Sequence, residues 1–307
     1  TGMNPFINAQ GYATTGMFSV AIGAIANLIL DPVFIFVFGL GIRGAAIATV
    51  LSQILSATFV LYFLRKKTEL TVRLLSLEEI RGCWNRAKNI ISLGTAGFIM
   101  QLTNSLVTIC CNNVLSVTGG DLYISVMTIV SSIRQIIDTP IHAITEGSSP
   151  VISYNYGARR PKRVFQSWLT MSVMAILYTL LAWGVILFAP RFLIGIFSSD
   201  QTLITDAIPA LKLYFGAFVF QALQYVGQTM FKSLGKKKFA IFFSLLRKVI
   251  IVVPLTYILP YLFHMGSDGV FLAEPVSNVL GGSACFIVML CTVMPELKRM
   301  AKGNSDR

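Results

Sequence analysis

Charged side chains are scarce in this sequence of 307 residues. Asp, Glu, Lys and Arg together make up 12% of it, against about 25% in a soluble domain whose surface must be wetted. A shortage on that scale excludes water as the solvent over most of the surface. Histidine is nearly absent, and His142 and His264 lie too far apart for an H-E-x-x-H zinc site. Gly235-Lys236 lacks the earlier Gly and the following Ser or Thr of a phosphate-binding loop, which argues against ATP hydrolysis. Gly147-Ser148-Ser149-Pro150 misses the G-x-S-x-G spacing of a serine nucleophile. The five cysteines (Cys83, Cys110, Cys111, Cys285, Cys291) are odd in number and show no secreted disulfide pattern, so they read as small apolar fillers. No cleavable signal peptide opens the chain, and Thr1 is not an initiator Met, so the start of the protein is expected upstream.

What is abundant is apolar length. Hydrophobic residues make up 55% of the chain and the mean hydropathy is +0.72. They fall in blocks near 12–38, 44–64, 90–117, 122–150, 164–189, 207–231, 239–263 and 270–294. Each is long enough to cross about 30 Å of hydrocarbon at 1.5 Å per residue, which predicts an all-α membrane protein with eight transmembrane helices. The formal net charge of +12 could suggest nucleic acid, but the positions of the cations point elsewhere. With the first residues inside and the sides alternating, the inner loops hold nineteen Lys and Arg residues, among them Arg65, Lys66, Arg159, Lys236 and Lys298; the outer loops hold only Arg43 and Arg191. That is the positive-inside pattern. It predicts a multi-pass protein of the inner or plasma membrane, with both ends of this chain cytoplasmic, the lipid bilayer as a partner and no nucleic acid.

The organisation follows from a polar stretch and a repeat. Residues 65–88 read as a cytoplasmic linker, in which Leu77, Ile80, Trp84, Ala87 and Ile91 recur at helical spacing. Either this is an amphipathic helix on the inner surface or an ordinary solvated linker. Gly41-Ile-Arg-Gly44, with Ala48 and Ser52 after it, resembles Gly266-Ser-Asp-Gly269, with Ala273 and Ser277; 266 − 41, 273 − 48 and 277 − 52 all equal 225. Parallel repeats of this kind build transporters from two lobes. Residues 1–64 then read as the last third of an N-terminal lobe, 89–294 as a six-helix C-terminal lobe and 295–307 as a cytoplasmic tail. Four further helices are expected before residue 1.

Polar groups at membrane depth cost about 2.5–3.5 kcal/mol for Asp, Lys or Arg, so each needs a reason. Asn27 and Asp31 share a face of the first helix, Pro32 follows, and Thr49 lies one turn into the second. Their carboxylate, amide and hydroxyl oxygens suit a small cation such as Na⁺, or the carboxylate could carry a proton. Alternatively, Asp31 caps a helix end at the Asp-Pro turn. Arg134, Asp138, His142 and Glu146 form a second set at four-residue steps along the fourth helix, with Pro140 among them. They line a water-filled cleft or form a charge-paired seam between helices. Gln101, Asn104, Gln221, Gln224 and Gln228 are further cleft candidates whose default role is interhelical hydrogen bonding. Arg247 and Lys248 read as side chains that snorkel to the inner headgroups. Glu274 occupies the repeat position of Thr49, so the two lobes are not chemically equivalent.

Three stretches resemble one family. They are Gly23-Ala-Ile-Ala-Asn27-Leu-Ile-Leu-Asp31-Pro32-Val-Phe-Ile-Phe36, then Gly41-Ile-Arg-Gly-Ala-Ala-Ile-Ala-Thr49, and Glu146-Gly-Ser-Ser-Pro150-Val-Ile-Ser-Tyr154-Asn155-Tyr156-Gly157-Ala158 with basic residues after it. Together they resemble the multidrug and toxic compound extrusion (MATE) transporters. The resemblance implies twelve helices in two six-helix lobes, of which this chain holds the fifth to the twelfth. It also implies export of amphipathic or cationic small molecules in exchange for Na⁺ or H⁺, by a monomeric transporter with no cofactor beyond the coupling ion. Asn27, Asp31 and Thr49 match the family's cation site; that site also uses an acidic residue on the family's first helix, outside this chain. Acidic residues that some members carry in the C-terminal lobe are replaced here by Gln and Asn and are not carried over. A lipid-linked precursor flippase of the same superfamily is the nearest alternative and predicts a strongly cationic cleft and more helices. An intramembrane transferase or protease would need paired acids, a metal-ligand set or a nucleophile with its base at one depth, and no such set is found.

Overall fold

The structure, a computed structural model, describes residues 3–66 and 83–305. Most of the 65–88 stretch, including Leu77 and Ile80, lies outside the described residues. The described elements are helical, with no strand among the described residues. The chain divides into two compact units, Thr1–Arg86 and Ala87–Arg307.

The first unit holds a short helix α1 (Asn4–Ala9), a long helix α2 (Ala13–Pro32) that widens into a π-helical turn (Val33–Val37), and α3 (Gly41–Lys66). Pro32 has no N–H to offer the carbonyl one turn back, and the helix widens directly after it. Helix α3 buries Gly44, Ala48, Ser52, Ser56, Val60 and Leu64, every fourth residue. This small-residue stripe lets the α2 and α3 backbones approach closely, as helices do in lipid, where apolar side chains gain nothing by leaving the solvent. Its hydroxyls are satisfied locally: Ser56 Oγ donates to the Ser19 carbonyl at 2.7 Å, and Ser19 Oγ donates to that of Gly16 at 2.7 Å. Large apolar side chains such as Leu28, Phe36 and Ile42 face outward.

The second unit runs through α4 (Trp84–Thr118), α5 (Gly120–Gly157), α6 (Pro161–Phe188), α7 (Pro190–Gly195), α8 (Gln201–Tyr214), α9 (Phe218–Ser233) and α10 (Lys237–Leu245). After a π-helical stretch (Leu246–Val252) come α11 (Val253–Tyr261), α12 (Gly266–Ser277), a second π-helical stretch (Asn278–Gly282) and α13 (Ser283–Ser305). Each π-helical stretch lies within three residues of a proline, Pro254 and Pro275 respectively. Two apolar clusters make the core. One gathers Val114, Val130, Ile133, Phe215, Phe218, Val252 and Phe271; the other gathers Ile141, Met171, Val226, Phe231, Phe243, Cys285 and Met289. Asp138 on α5, Gln221 on α9, and Arg247 and Lys248 on the α10–α11 run fall between members of one cluster and members of the other. At the start of α8 the Asp200 carboxylate accepts from the Thr202 hydroxyl at 2.6 Å and the Thr202 backbone N–H at 2.9 Å, which holds its carboxyl below the usual range. Where α5, the α9–α10 turn and α13 meet, Glu296 accepts from both Tyr156 and Lys236.

Among the described residues, five helical stretches are long and apolar enough to cross a membrane: Ala13–Val37, Gly41–Lys66, Pro161–Phe188, Lys237–Tyr261 and Gly266–Lys302. A sixth arises if Gln201–Tyr214 and Phe218–Ser233, bent by 50° at their junction, count as one span. Eight are expected from the sequence; α4 and α5 have the length but are not among these. Both carry polar residues, among them Asn104, Asn112 and Asn113 on α4 and Arg134, Asp138 and Glu146 on α5.

The sequence repeat reappears as one backbone corner, built once in each unit. Gly41 and Gly266 both take a positive φ, 52° and 55°, which favours glycine. The Leu40 N–H donates to the Phe34 carbonyl at 3.1 Å, and at the same offset of 225 the Met265 N–H donates to that of Leu259 at 3.3 Å. A Cβ added at Gly44 would lie 2.6 Å from Phe34 O, and one added at Gly269 would lie 2.8 Å from Pro260 N and 2.9 Å from the Leu259 carbonyl carbon. Backbone cannot yield as a side chain can, so Gly269→Ala should destabilise the second unit by about 1–3 kcal/mol. Gly184→Ala, where nothing lies within 4 Å of the added Cβ, should be neutral or stabilising by up to about 1 kcal/mol. Thermal unfolding of the two detergent-solubilised variants checks the contrast.

Candidate functional site

In the first unit the three residues proposed for a cation do meet. Asn27 Nδ2 donates to Asp31 Oδ1 at 3.2 Å and reaches Thr49 Oγ1 at 3.5 Å, while Thr49 Oγ1 donates to the Ala45 carbonyl at 2.9 Å. The four-residue step from Asn27 to Asp31 puts both on one face of α2, and the corner at Gly41 turns α3 back so that Thr49 comes level with them. Asn27 and Asp31 are half-buried and Thr49 is exposed. A carboxylate oxygen, a hydroxyl and an amide gathered around one point form a hard donor set; turning the Asn27 amide about its last torsion presents its oxygen to the same point.

The second unit holds a denser polar layer. Glu274, on α12, is 3% exposed and stands at its centre. Its Oε1 accepts from Arg134 Nη2 at 2.8 Å, Arg247 Nη1 at 3.1 Å and Lys248 Nζ at 3.2 Å. Arg134 also binds Asp138, one turn on along α5, at 3.1 Å, and donates to the Tyr214 hydroxyl. Gln221 Nε2 donates to Asp138 at 3.3 Å and to the Tyr225 hydroxyl at 3.0 Å, and Tyr225 donates to Asp138 Oδ2 at 3.3 Å. The His142 ring lies edge-on to Tyr225, with centroids 4.6 Å apart. Arg247 and Lys248 are adjacent in sequence yet converge on one carboxylate. Both sit on the π-helical stretch, where successive side chains are turned by a smaller angle than in an α-helix. The Arg247 stem packs against Gly281, where an added Cβ would stand 3.0 Å from Arg247 Cβ. This layer borders a cavity of about 450 Å³ within the unit, lined among others by Asn104, Arg134, Asp138, His142, Gln224 and Glu274.

The sequence profile of the MatE family matches residues 97–258, just over half of the chain. The chain belongs to the MatE family. It is 24% identical over 290 residues to the multidrug export protein MepA of Staphylococcus saprophyticus, a match covering 94% of this chain and 62% of that protein. The chain therefore spans about three fifths of the length of this curated relative. Among solved structures, a MATE protein in complex with MaL6 superimposes with a TM-score of 0.85 at 24% identity, covering 97% of this chain and 66% of that one. A MOP-superfamily transporter from Pyrococcus furiosus, described as having a binding pocket of reverse polarity, superimposes with a TM-score of 0.82 at 24% identity, covering 95% and 64%. At this identity the structural likeness establishes the fold: this MatE chain is helical across its described elements and carries several helices long and apolar enough to cross a membrane.

Of the cleft candidates in this MatE chain, Arg134, Asp138, His142, Asn104, Gln224 and Gln228 line the cavity, and Gln221 binds Asp138 beside it. Gln101 is exposed and is not among the lining residues. Glu146 leaves the stripe: its side chain is exposed and pairs with Lys232 at 3.6 Å. Arg247 and Lys248 do not snorkel; they are 4% and 6% exposed and turn inward to Glu274. Tyr214 and Tyr225 escape a sequence reading because a tyrosine in an apolar run looks like packing; the four-residue step from Gln221 to Tyr225 is the one signal that could have found the second. Removing Glu274 deprives three cations, two of them buried, of their shared partner, and breaking a buried pair costs about 3–5 kcal/mol. Glu274→Ala should therefore lower stability by that amount, more than Glu146→Ala at its exposed pair, as read by denaturant unfolding in detergent.

Proposed function

We propose that this chain forms part of a cation-coupled exporter, which moves amphipathic small molecules out of the cell in exchange for Na⁺ or H⁺ by alternating access. The observation that carries the proposal is the meeting of Asp31, Asn27 and Thr49 on two neighbouring helices of the first unit. A carboxylate at membrane depth is retained where it handles ions. Asp31 is the coupling residue: ionised and cation-bound in one orientation, released in the other. Asn27 orients it, and Thr49 supplies a third oxygen. Multidrug export by the Staphylococcus relative and the MatE family fold support the reading. In it, all eight apolar blocks cross the bilayer, with the bent α8–α9 pair as one crossing and the amide- and charge-bearing α4 and α5 as two more. The two units belong to the two lobes of a twelve-helix, monomeric transporter in the plasma membrane, and the Lys- and Arg-rich loops face the cytoplasm.

The test is gradient-driven export. The full-length gene product in proteoliposomes should expel a lipophilic dye when a Na⁺ or an H⁺ gradient is imposed separately, and Asp31→Asn should abolish export while remaining monodisperse. Undiminished export by Asp31→Asn overturns the assignment.

A further inference from the structure

We infer that the cavity of the second unit binds an amphipathic anion, a carboxylate on an apolar body of one or two rings, with Glu274 as the built-in counter-anion that such a ligand joins or displaces. This names a substrate class for the exporter reading and rests on that reading only for its biological use.

Three observations carry it. Charge is the first: Arg134, Arg247 and Lys248 bring three positive groups to the layer and Asp138 and Glu274 two negative ones, a surplus of one positive charge. A cavity for a cation would leave its carboxylates available. Here both are already engaged, Glu274 by all three cations and Asp138 by Arg134, Gln221 and Tyr225. The second observation is hydrogen-bond capacity without a partner. Arg247 and Gln224, each 4% exposed, are among the residues lining the cavity, and Arg247 Nε and Gln224 Oε1 are buried atoms with no hydrogen-bond partner. A buried polar atom left alone is costly, so one on a side chain that lines a cavity favours a ligand that can pair with it. A small turn of each side chain toward the cavity lets a carboxylate take the Arg247 donor and a hydroxyl or amide beside it meet Gln224. The third is shape. About 450 Å³ lies within the range of small-molecule sites, and Val107, Met127, Val252 and Val270 line the space beside the charged layer. A polar head therefore finds cations, and the body attached to it finds an apolar wall.

The test compares three probes of one size and different charge: 2-naphthoate, 2-naphthylmethanol and 2-naphthylmethylammonium, titrated calorimetrically into the full chain in neutral maltoside detergent at pH 7. Naphthoate should bind at least about tenfold tighter than the ammonium probe, the scale of one charge-assisted hydrogen bond. Lys248→Met, which balances the charges at two against two, should weaken naphthoate binding about tenfold and spare naphthylmethanol. Lys248→Arg should keep the preference, which separates a charge effect from a misfolded cavity. Equal or tighter binding of the ammonium probe, or no measurable binding of naphthoate to the unaltered chain, overturns the inference. Asp31→Asn should leave this selectivity untouched, so loss of gradient-driven export and loss of anion preference are separate failures.

Discussion

The second unit is organised around one buried carboxylate. Glu274 stands where three cations converge on the wall of a cavity, with little of its own surface left to water. A lone charge there is prohibitive, and a balanced group is tolerable only if its geometry is held closely. That requirement reaches across the unit. Helix α5 supplies Arg134, α12 supplies Glu274, the π-helical stretch after α10 supplies Arg247 and Lys248, and the one after α12 supplies Asn278 to Arg247. Two apolar clusters make up the rest of the unit's core, and on the α10–α11 run Arg247 and Lys248 sit between members of the two. The widened helical turns are part of this solution, since they bring neighbouring side chains onto one acceptor.

What the sequence makes legible is whatever depends on spacing along a single segment. The corner at Gly41 and Gly266 is readable because its glycines are required by backbone geometry alone. The Asn27–Asp31 pair and the Arg134–Asp138 pair are readable because a four-residue step fixes a face. Partnership across distant segments is a different matter. Arg247 and Lys248 sit a snorkelling distance from a helix end, and their true partner lies 26 residues further on from Lys248 and 27 from Arg247, behind two prolines and a change of helical pitch that no periodicity reveals. Glu146 errs the other way: its step predicts the stripe, but by that turn α5 has carried the face out toward Lys232. The eight apolar blocks are plain in composition, while among the described residues five stretches are long and apolar enough to stand as crossings on their own; α5 gives up apolar surface for the charged groups that line the cavity.

The two corners share more than a fold element. In each, a glycine lies against the backbone of the preceding helix, so the joint is closed by main-chain atoms and holds whatever side chains surround it. At the offset of 225, Asn27, Asp31 and Thr49 fall opposite Val252, Thr256 and Glu274. A carboxylate on the helix before the corner in one copy is thus matched by a carboxylate on the helix after it in the other. A joint closed by main-chain atoms leaves the side chains on its flanking helices free to differ, so one corner carries Asn27, Asp31 and Thr49 in the first unit and Val252, Thr256 and Glu274 in the second.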